Sequence, residues 1–209
     1  MGTDATTAVA DPTKRRLLRT EERRAQILEA ASRAFARGGY AATSMDDVAA
    51  EAGITRLIVY RHFSSKEALY RAVLTAVADR LRDEFLAGVS EPGRDEGWIH
   101  RMMLAVAREN PDGFRLLMVH ATREAQFAVH HDEWEAKARS VADTMIGDRL
   151  DDPALRAWAT RTIVAGLVES VLAWLDCGPA RRDEEFVERS SAALRAMYRA
   201  GAGAELSDR

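Results

Sequence analysis

Apolar residues recur three to four positions apart through most of the 209-residue chain, and long alternating β-branched runs are absent. That spacing predicts helices, with no case for a sheet. Ile27, Ala31, Ala34 and Phe35 line one face of a first helix from about Glu21 to Arg37, and Gly38 and Gly39 end it because glycine takes the left-handed conformation that helix C-termini often need. Thr43-Ser44-Met45-Asp46-Asp47 sets a hydroxyl three residues ahead of an acid, a capping-box variant that opens a short second helix through Ala52. Gly53 then supplies a tight turn, Ile54 an apolar anchor, and Thr55 the cap of a third helix ending near His62. Phe63 closes the unit. Ser64-Ser65-Lys66-Glu67 reads as a Ser-x-x-Glu box opening a fourth helix to about Ala87, whose Leu69, Val73, Val77 and Leu81 repeat every four residues.

Further helices are expected at about Asp95–Arg108, Asp112–His120, Thr122–Arg149, Pro153–Leu175 and Asp183–Arg199, bounded by Pro92-Gly93, Asn110-Pro111, Pro153, Gly178-Pro179 and Gly201. The fold class is therefore all-α, with about nine helices: an N-terminal three-helix helix-turn-helix domain, then a C-terminal helical domain. Expected boundaries are a flexible basic tail over residues 1–22, the helix-turn-helix domain over 23–70, the C-terminal helical domain over 71–200 and a flexible tail over 201–209. The N-terminal tail is read either as solvated chain or as a basic arm, because Lys14, Arg15, Arg16 and Arg19 cluster there without an apolar face. No internal repeat is present.

Charge changes the picture more through its distribution than through its total. The net charge is −3, yet residues 1–71 hold 12 Lys/Arg against 9 Asp/Glu and residues 72–209 hold 18 against 24. Nucleic-acid binding follows the local field, so the front of the chain is the electropositive end. The single cysteine, Cys177, excludes an intramolecular disulfide and any Cys-x-x-Cys metal motif. No apolar signal core and no membrane-spanning run is visible, and the expectation is a cytoplasmic protein without a membrane partner.

A helix-turn-helix reads DNA with a short helix that is buried on one side and presents polar and cationic groups on the other. Residues 55–62 meet that requirement: Val59, with Ile54 and Phe63, faces the core, while Thr55, Arg56, Tyr60 and His62 fall on or beside the opposite face. Lys66, in the first turn of the next helix, adds its charge to unpaired backbone N–H groups, a ready anion site.

The run Gly39-Tyr40 to Thr43, then Val48-Ala49 to Ala52-Gly53-Ile54-Thr55, then Val59-Tyr60-Arg61-His62-Phe63-Ser64-Ser65-Lys66-Glu67-Ala68-Leu69 resembles the N-terminal domain of the TetR (tetracycline-repressor) family over about residues 23–71. The resemblance implies that Thr43, Thr55, Tyr60, His62 and Lys66 contact phosphates, and that Arg56 leads in reading guanine, whose O6 and N7 match a guanidinium fork. Leu57 and Ile58 depart from the small residues common in the family after that position; they suit thymine methyl groups or an altered docking angle. By the same resemblance the protein is a repressor that binds a double-stranded inverted-repeat operator as a homodimer and is released by a small-molecule effector. The last two long helices would pair across the dimer, where Ile163 to Leu175, with Ser190, Ala193, Leu194 and Met197, offers apolar and small residues.

Candidates for the effector site are Trp98, Met102, Met103, Phe114, Leu117, Met118, Phe127, Trp134, Trp158 and Glu169, since such pockets are mostly apolar with few polar groups. For any single aromatic or Met, core packing is the competing reading. Glu169 interrupts the most apolar helix and is read either as a ligand contact or as a partner for Arg161 or for an arginine across the dimer. His120, His130, His131, Glu124, Asp132 and Glu133 lack metal-ligand spacing, so neither metal nor cofactor is expected. No nucleophile elbow, P-loop or dinucleotide fingerprint argues for an enzyme. The remaining alternative is a helix-turn-helix module, architectural or partner-binding, that lacks an effector.

Overall fold

A computed structural model describes residues 12–147 and 150–201. Nine α-helices and no strands occur among the described residues: α1 Pro12–Ala42, α2 Met45–Glu51, α3 Arg56–His62, α4 Lys66–Val89, α5 Trp98–Glu109, α6 Pro111–Arg115, α7 Ala125–Ile146, α8 Pro153–Cys177 and α9 Asp183–Gly201. The chain divides into two compact units, one ending at Tyr70 and the other beginning at Arg71, so the break falls early in α4. Within the described residues no helix is long and apolar enough to cross a membrane.

The first unit forms because one face each of α1, α2 and α3 is apolar. Ile27, Ala31 and Phe35 of α1, Met45 and Val48 of α2, Val59 of α3, and Phe63, Leu69 and Tyr70 beyond it are all buried. Tyr70 presents its edge to Phe35 at 4.9 Å and to Tyr40 at 5.1 Å between ring centroids, geometries the ring quadrupoles favour. Glu51 clamps α2 to α1 through Arg33 Nε at 2.7 Å and Arg37 Nη2 at 2.8 Å. Hydrogen bonds from these guanidinium groups, Arg33 first, hold the Glu51 carboxyl below its ordinary range.

Several boundaries differ from the sequence reading. Helix α1 begins at Pro12 and not near Glu21, so the expected tail is helical from Pro12 onward; residues 1–11 lie outside the described residues. Arg16, Leu17, Leu18 and Arg19 are exposed there, and the segment is helical because it holds straight-chain residues of good propensity with no glycine or internal proline. At its other end α1 is broken at Gly39, with φ 74° and ψ 164°, where a side chain would be strained. The cap of α4 is Ser65, whose Oγ accepts from Ala68 N at 3.0 Å, one residue later than the Ser-x-x-Glu pattern placed it.

In the second unit α7 packs on α8, α8 on α9, and α5 on both α8 and α9. Its core includes Leu74, Val77 and Leu81 of α4, Leu104 and Ala107 of α5, Phe114, Leu116, Leu117, Phe127, Val171 and Val187. Two starts follow the sequence directly. Asn110 Oδ1 accepts from Gly113 N at 2.9 Å ahead of α6, and Asp152 Oδ1 accepts from Ala154 N at 2.7 Å and Leu155 N at 3.0 Å ahead of α8, each with proline at the first helical position. Helix α5 starts three residues later than expected because Asp95 accepts from Gly97 N and from the fork of Arg101 in place of extending the helix. Between α6 and α7 the chain makes a π-helical turn over Leu116–His120 and a 3-10 turn over Ala121–Arg123, so α7 begins at Ala125 and not at Thr122. It ends at Ile146; Arg149 and residues 202–209 lie outside the described residues.

Candidate nucleic-acid interface and ligand cavity

Helix α2 is fixed at its start by a reciprocal cap. Asp47 N donates to Ser44 Oγ at 3.1 Å while Ser44 N donates to Asp47 Oδ2 at 2.8 Å, and the hydrogen bonds from the Ser44 side chain and backbone hold the Asp47 carboxyl below its usual range. After Ala52 the backbone reverses at Gly53, φ 64°, a conformation open mainly to glycine. Ile54 N reaches back to Ala49 O at 3.0 Å, and Gln26 Nε2 of α1 donates to Ala52 O at 2.9 Å. The turn is therefore held from both sides, and it aims α3.

Helix α3 buries Val59 fully, and Phe63 just beyond it is covered by the Arg24 guanidinium 4.5 Å from its ring. The opposite side is exposed and carries Thr55, Arg56, Leu57 and Tyr60, with Leu57 71% and Tyr60 40% accessible. A leucine that open on a seven-residue helix has no packing role in the chain itself. Thr55 is the N-cap but makes no side-chain capping bond. Ile58 and His62 are half-buried. Burial, and then the charges of Arg24, Arg61 and Arg23, lower the His62 pKa, so at neutral pH its ring is an uncharged donor and acceptor.

Arg56 is not loose. Its Nη1 donates to Asp46 Oδ2 of α2 at 2.9 Å, its Nη2 donates to Tyr60 Oη at 3.3 Å, and its guanidinium lies 5.2 Å from the Tyr60 ring centroid. The sequence reading did not single out Asp46 as the anchor of this fork. The ten-residue separation gives no periodic signal, since the two residues meet only because the turn folds α2 beside α3.

Two of the expected phosphate contacts, Thr43 and Lys66, hold partners within the chain. Thr43 is 4% exposed and donates through Oγ1 to Gly39 O at 2.8 Å, with Ala34 O at 3.2 Å. It closes the end of α1 and does not stand with the surface group, because the kink at Gly39 turns it inward. Lys66 is half-buried and donates through Nζ to Tyr40 O at 2.9 Å and Ala41 O at 3.1 Å, lying 4.6 Å from the Tyr40 ring centroid. Its ammonium satisfies carbonyls at the end of α1 and keeps one N–H beyond these two bonds. The exposed group that remains is Thr55, Arg56, Leu57 and Tyr60, with Ile58 and His62 at its margin.

The second unit contains a half-open cavity of about 1380 Å³ bounded by α4, α5, α7, α8 and α9, larger than the roughly 300–1,000 Å³ typical of small-molecule sites. Four of the ten effector candidates, Trp98, Met102, Met103 and Trp134, line it. Phe114, Leu117 and Phe127 are fully buried core residues outside the lining, and Trp158 is 53% exposed on α8. Met118 and Glu169, again with Trp134, line a smaller cavity of about 330 Å³ beside Arg123. Glu169 is exposed; Arg161 lies eight residues away on the same helix, a rise of about 12 Å, too far for the intrachain pair considered from sequence.

Phe85, His100, His130, Ile163 and Leu167 line the large cavity and were not anticipated. His130 was read as part of a solvated helical face, but it is half-buried. No three His, Cys, Asp or Glu side chains are grouped to hold a metal among the described residues.

A family model described as bacterial regulatory proteins, tetR family, matches residues 27–73. The HTH-type transcriptional activator FasR of Mycolicibacterium smegmatis is 33% identical over 169 residues, 75% of this chain and 74% of that protein. The HTH-type transcriptional repressor SCO4008 of Streptomyces coelicolor is 31% identical over 121 residues, 56% of this chain and 61% of that protein. Among solved structures, a tetR-family transcriptional regulator from Streptomyces coelicolor superimposes with a TM-score of 0.60 at 27% identity, covering 86% of this chain and 83% of its own.

Proposed function

This chain belongs to the TetR family of bacterial regulatory proteins, and on that premise we propose that it is a repressor whose paired heads occupy an inverted-repeat operator until a small molecule fills the cavity of the second unit. It is a DNA-binding transcriptional regulator and not an enzyme. The observation that carries the DNA-reading role of α3 is its exposed face, where the Arg56 fork, anchored by Asp46 and Tyr60, stands beside an otherwise purposeless Leu57. A guanidinium fits the O6 and N7 of guanine, and an apolar side chain fits the thymine methyl. Thr55 and Tyr60 hydroxyls, the His62 ring and the remaining Lys66 N–H serve the flanking phosphates.

One head of this size makes few base contacts, so specificity calls for two heads about one helical turn, roughly 34 to 36 Å, apart. Dimerisation through α8 and α9 meets that need. Ala165, Glu169 and Ala173 are exposed on α8 beside half-buried Val168 and Leu172, and Ala192 and Ala193 are exposed on α9. Small residues let two such faces approach closely. Helix α4 contributes Thr75, Asp79, Leu81, Arg82 and Phe85 to the cavity and begins at Lys66, so an occupant that displaces α4 changes the head spacing. The effector acts only through its differential affinity for the two conformers.

Binding of purified protein to genomic fragments, selected and then measured by mobility shift at defined salt, tests this reading. It expects a two-fold symmetric site bound by a dimer, and loss of transcription in a purified system when the site overlaps a promoter. Failure to bind any duplex at low salt overturns the DNA assignment; stimulated transcription from the bound promoter makes the protein an activator, the role carried in the name of FasR.

A further inference from the structure

We infer that the N-terminal extension of α1 is a second DNA-contacting element, a helical rail whose arginines hold the phosphate backbone outside the half-site that α3 occupies. The inference rests on α3 being the DNA-reading helix.

Helix α1 runs without a break from Pro12 to the kink at Gly39. Its residues 16–22 are exposed throughout, and cover begins only at Arg23 and Arg24, so the helix stands clear of its own unit for about two turns. A stretch that packs on nothing adds no buried surface to the fold, and its side chains are free for an outside partner.

Spacing sorts the charges of that stretch. Arg16, Arg19 and Arg23 lie three and four residues apart, on one face, about 10 Å from first to last. Continued at the same spacing into the head, that face carries Ile27, Ala30 and Ala34, all buried. The side of α1 that is apolar inside the head is therefore cationic where the helix leaves it. Arg16 and Arg19 are exposed, and neither guanidinium has a hydrogen-bond or ion-pair partner among the described residues. Arg23 donates to Gln26 Oε1 at 2.6 Å. By the same register Leu17, Leu18 and Glu21 fall on other sides of the helix and Glu22 at the margin of the stripe.

The stripe starts beside the reading helix. Arg24 lies 4.5 Å from the ring centroid of Phe63, one residue past α3. Burial is the larger influence on His62, the last residue of α3, but the charges acting on it are those of Arg24, Arg61 and Arg23, with Glu21 opposing them. Arg61 is also exposed and without a partner among the described residues. The end of α3 and the base of the extension thus share one positive field. Unpaired cations in a line complement a polyanion, and DNA carries about one negative charge per 1.7 Å of its axis. A helix in a major groove is flanked by phosphates, so the strand beside His62 is the one the stripe meets. Such contacts position the head and strengthen binding without reading sequence.

Arg16→Gln/Arg19→Gln in the full-length protein tests the inference, with Arg181→Gln/Arg189→Gln as an equal change of charge on the second unit. Arg23 is left intact because its partner Gln26 also donates to Ala52 O at the turn. Binding to a fluorescein-labelled duplex of mixed sequence, about four helical turns long, is followed by anisotropy between about 50 and 200 mM salt. Wild type and the second-unit variant should share one slope of log K against log salt. Arg16→Gln/Arg19→Gln should be shallower by about 0.9 for each arginine withdrawn from a phosphate, roughly two per bound head. Hydroxyl-radical footprinting on the site recovered by genomic selection should show protected backbone outside each half-site with wild type, and its loss with Arg16→Gln/Arg19→Gln.

An unchanged slope in Arg16→Gln/Arg19→Gln, equal flattening by both double variants, or a wild-type footprint confined to the half-sites overturns the rail while leaving α3 as the reading helix. If wild type binds no duplex at low salt, the DNA-reading role of α3 falls and the rail with it.

Discussion

The buried imidazole of His100 makes folding stability depend on pH in a way that can be isolated by one substitution. In the folded protein its pKa is lowered from 6.5 to about 4, by burial first and by Arg195 second. Between those two values the unfolded chain holds a proton that the folded chain does not, so stability rises with pH through this window and is lost as pH falls from 6.5 toward 4. At about 1.36 kcal/mol per pKa unit, the whole window is worth roughly 3.4 kcal/mol, and about 2 kcal/mol of it is already lost at pH 5. For a chain of this length that corresponds to about 4 to 8 °C in melting temperature.

Other groups add to the wild-type slope. His120 and His130 are lowered in the same direction by burial, and Glu185, held at about 2 by its hydrogen bond from Arg182, loses stability only in stronger acid. Comparison with His100→Phe removes these shared contributions. Thermal denaturation of both proteins at pH 7.5 and pH 5 should show the wild type losing about 4 to 8 °C more than the variant. Parallel losses would refute the assignment of a neutral, desolvated ring to this position.

Three further outcomes follow from the head. Arg56→Ala should weaken operator binding roughly 5- to 150-fold, chiefly by relaxing one base pair, and a competition series over single-base variants reads it; a uniform loss across sequences would confine Arg56 to the phosphates. Lys66→Ala removes both a cation and the group that satisfies Tyr40 O and Ala41 O, so it should lower stability by about 1 kcal/mol and reduce the slope of log K against log salt by about one. An unchanged slope would leave Lys66 as a structural cap alone. Gly53→Ala places a side chain at φ 64° and should cost about 1 to 2 kcal/mol in denaturant unfolding; no loss would mean that the turn relaxes.

How much of this was legible beforehand depended on the range of the interaction. Period and punctuation are local, so all nine helices, the Ser44–Asp47 cap, the Gly53 turn, the Asp152-Pro153 start and the buried face containing Val59 could be read from neighbouring residues. The boundaries that moved were those where another bond competed: Asp95 held Gly97 and Arg101, and Ser65 took the cap that Ser64 was expected to make.

For the functional residues the same distinction holds. Arg56, Leu57 and Tyr60 could be placed outside because α3 is short and its inner face is plain, whereas Thr43 and Lys66 are defined by carbonyls that the kink at Gly39 exposes. In the second unit an apolar side chain at helical spacing is the same letter whether it faces a core or a cavity. Phe114, Leu117 and Phe127 went to the core, Trp98, Met102, Met103 and Trp134 to the cavity wall, and only the way five helices meet separates the two groups. The sequence by itself determined an all-helical chain with a DNA-reading helix near its front, because those properties reside in residues a few positions apart. The tertiary structure decided the cavity, the buried His100 ring and the anchoring of Arg56 by Asp46, because each depends on side chains that are distant along the chain and adjacent only in space.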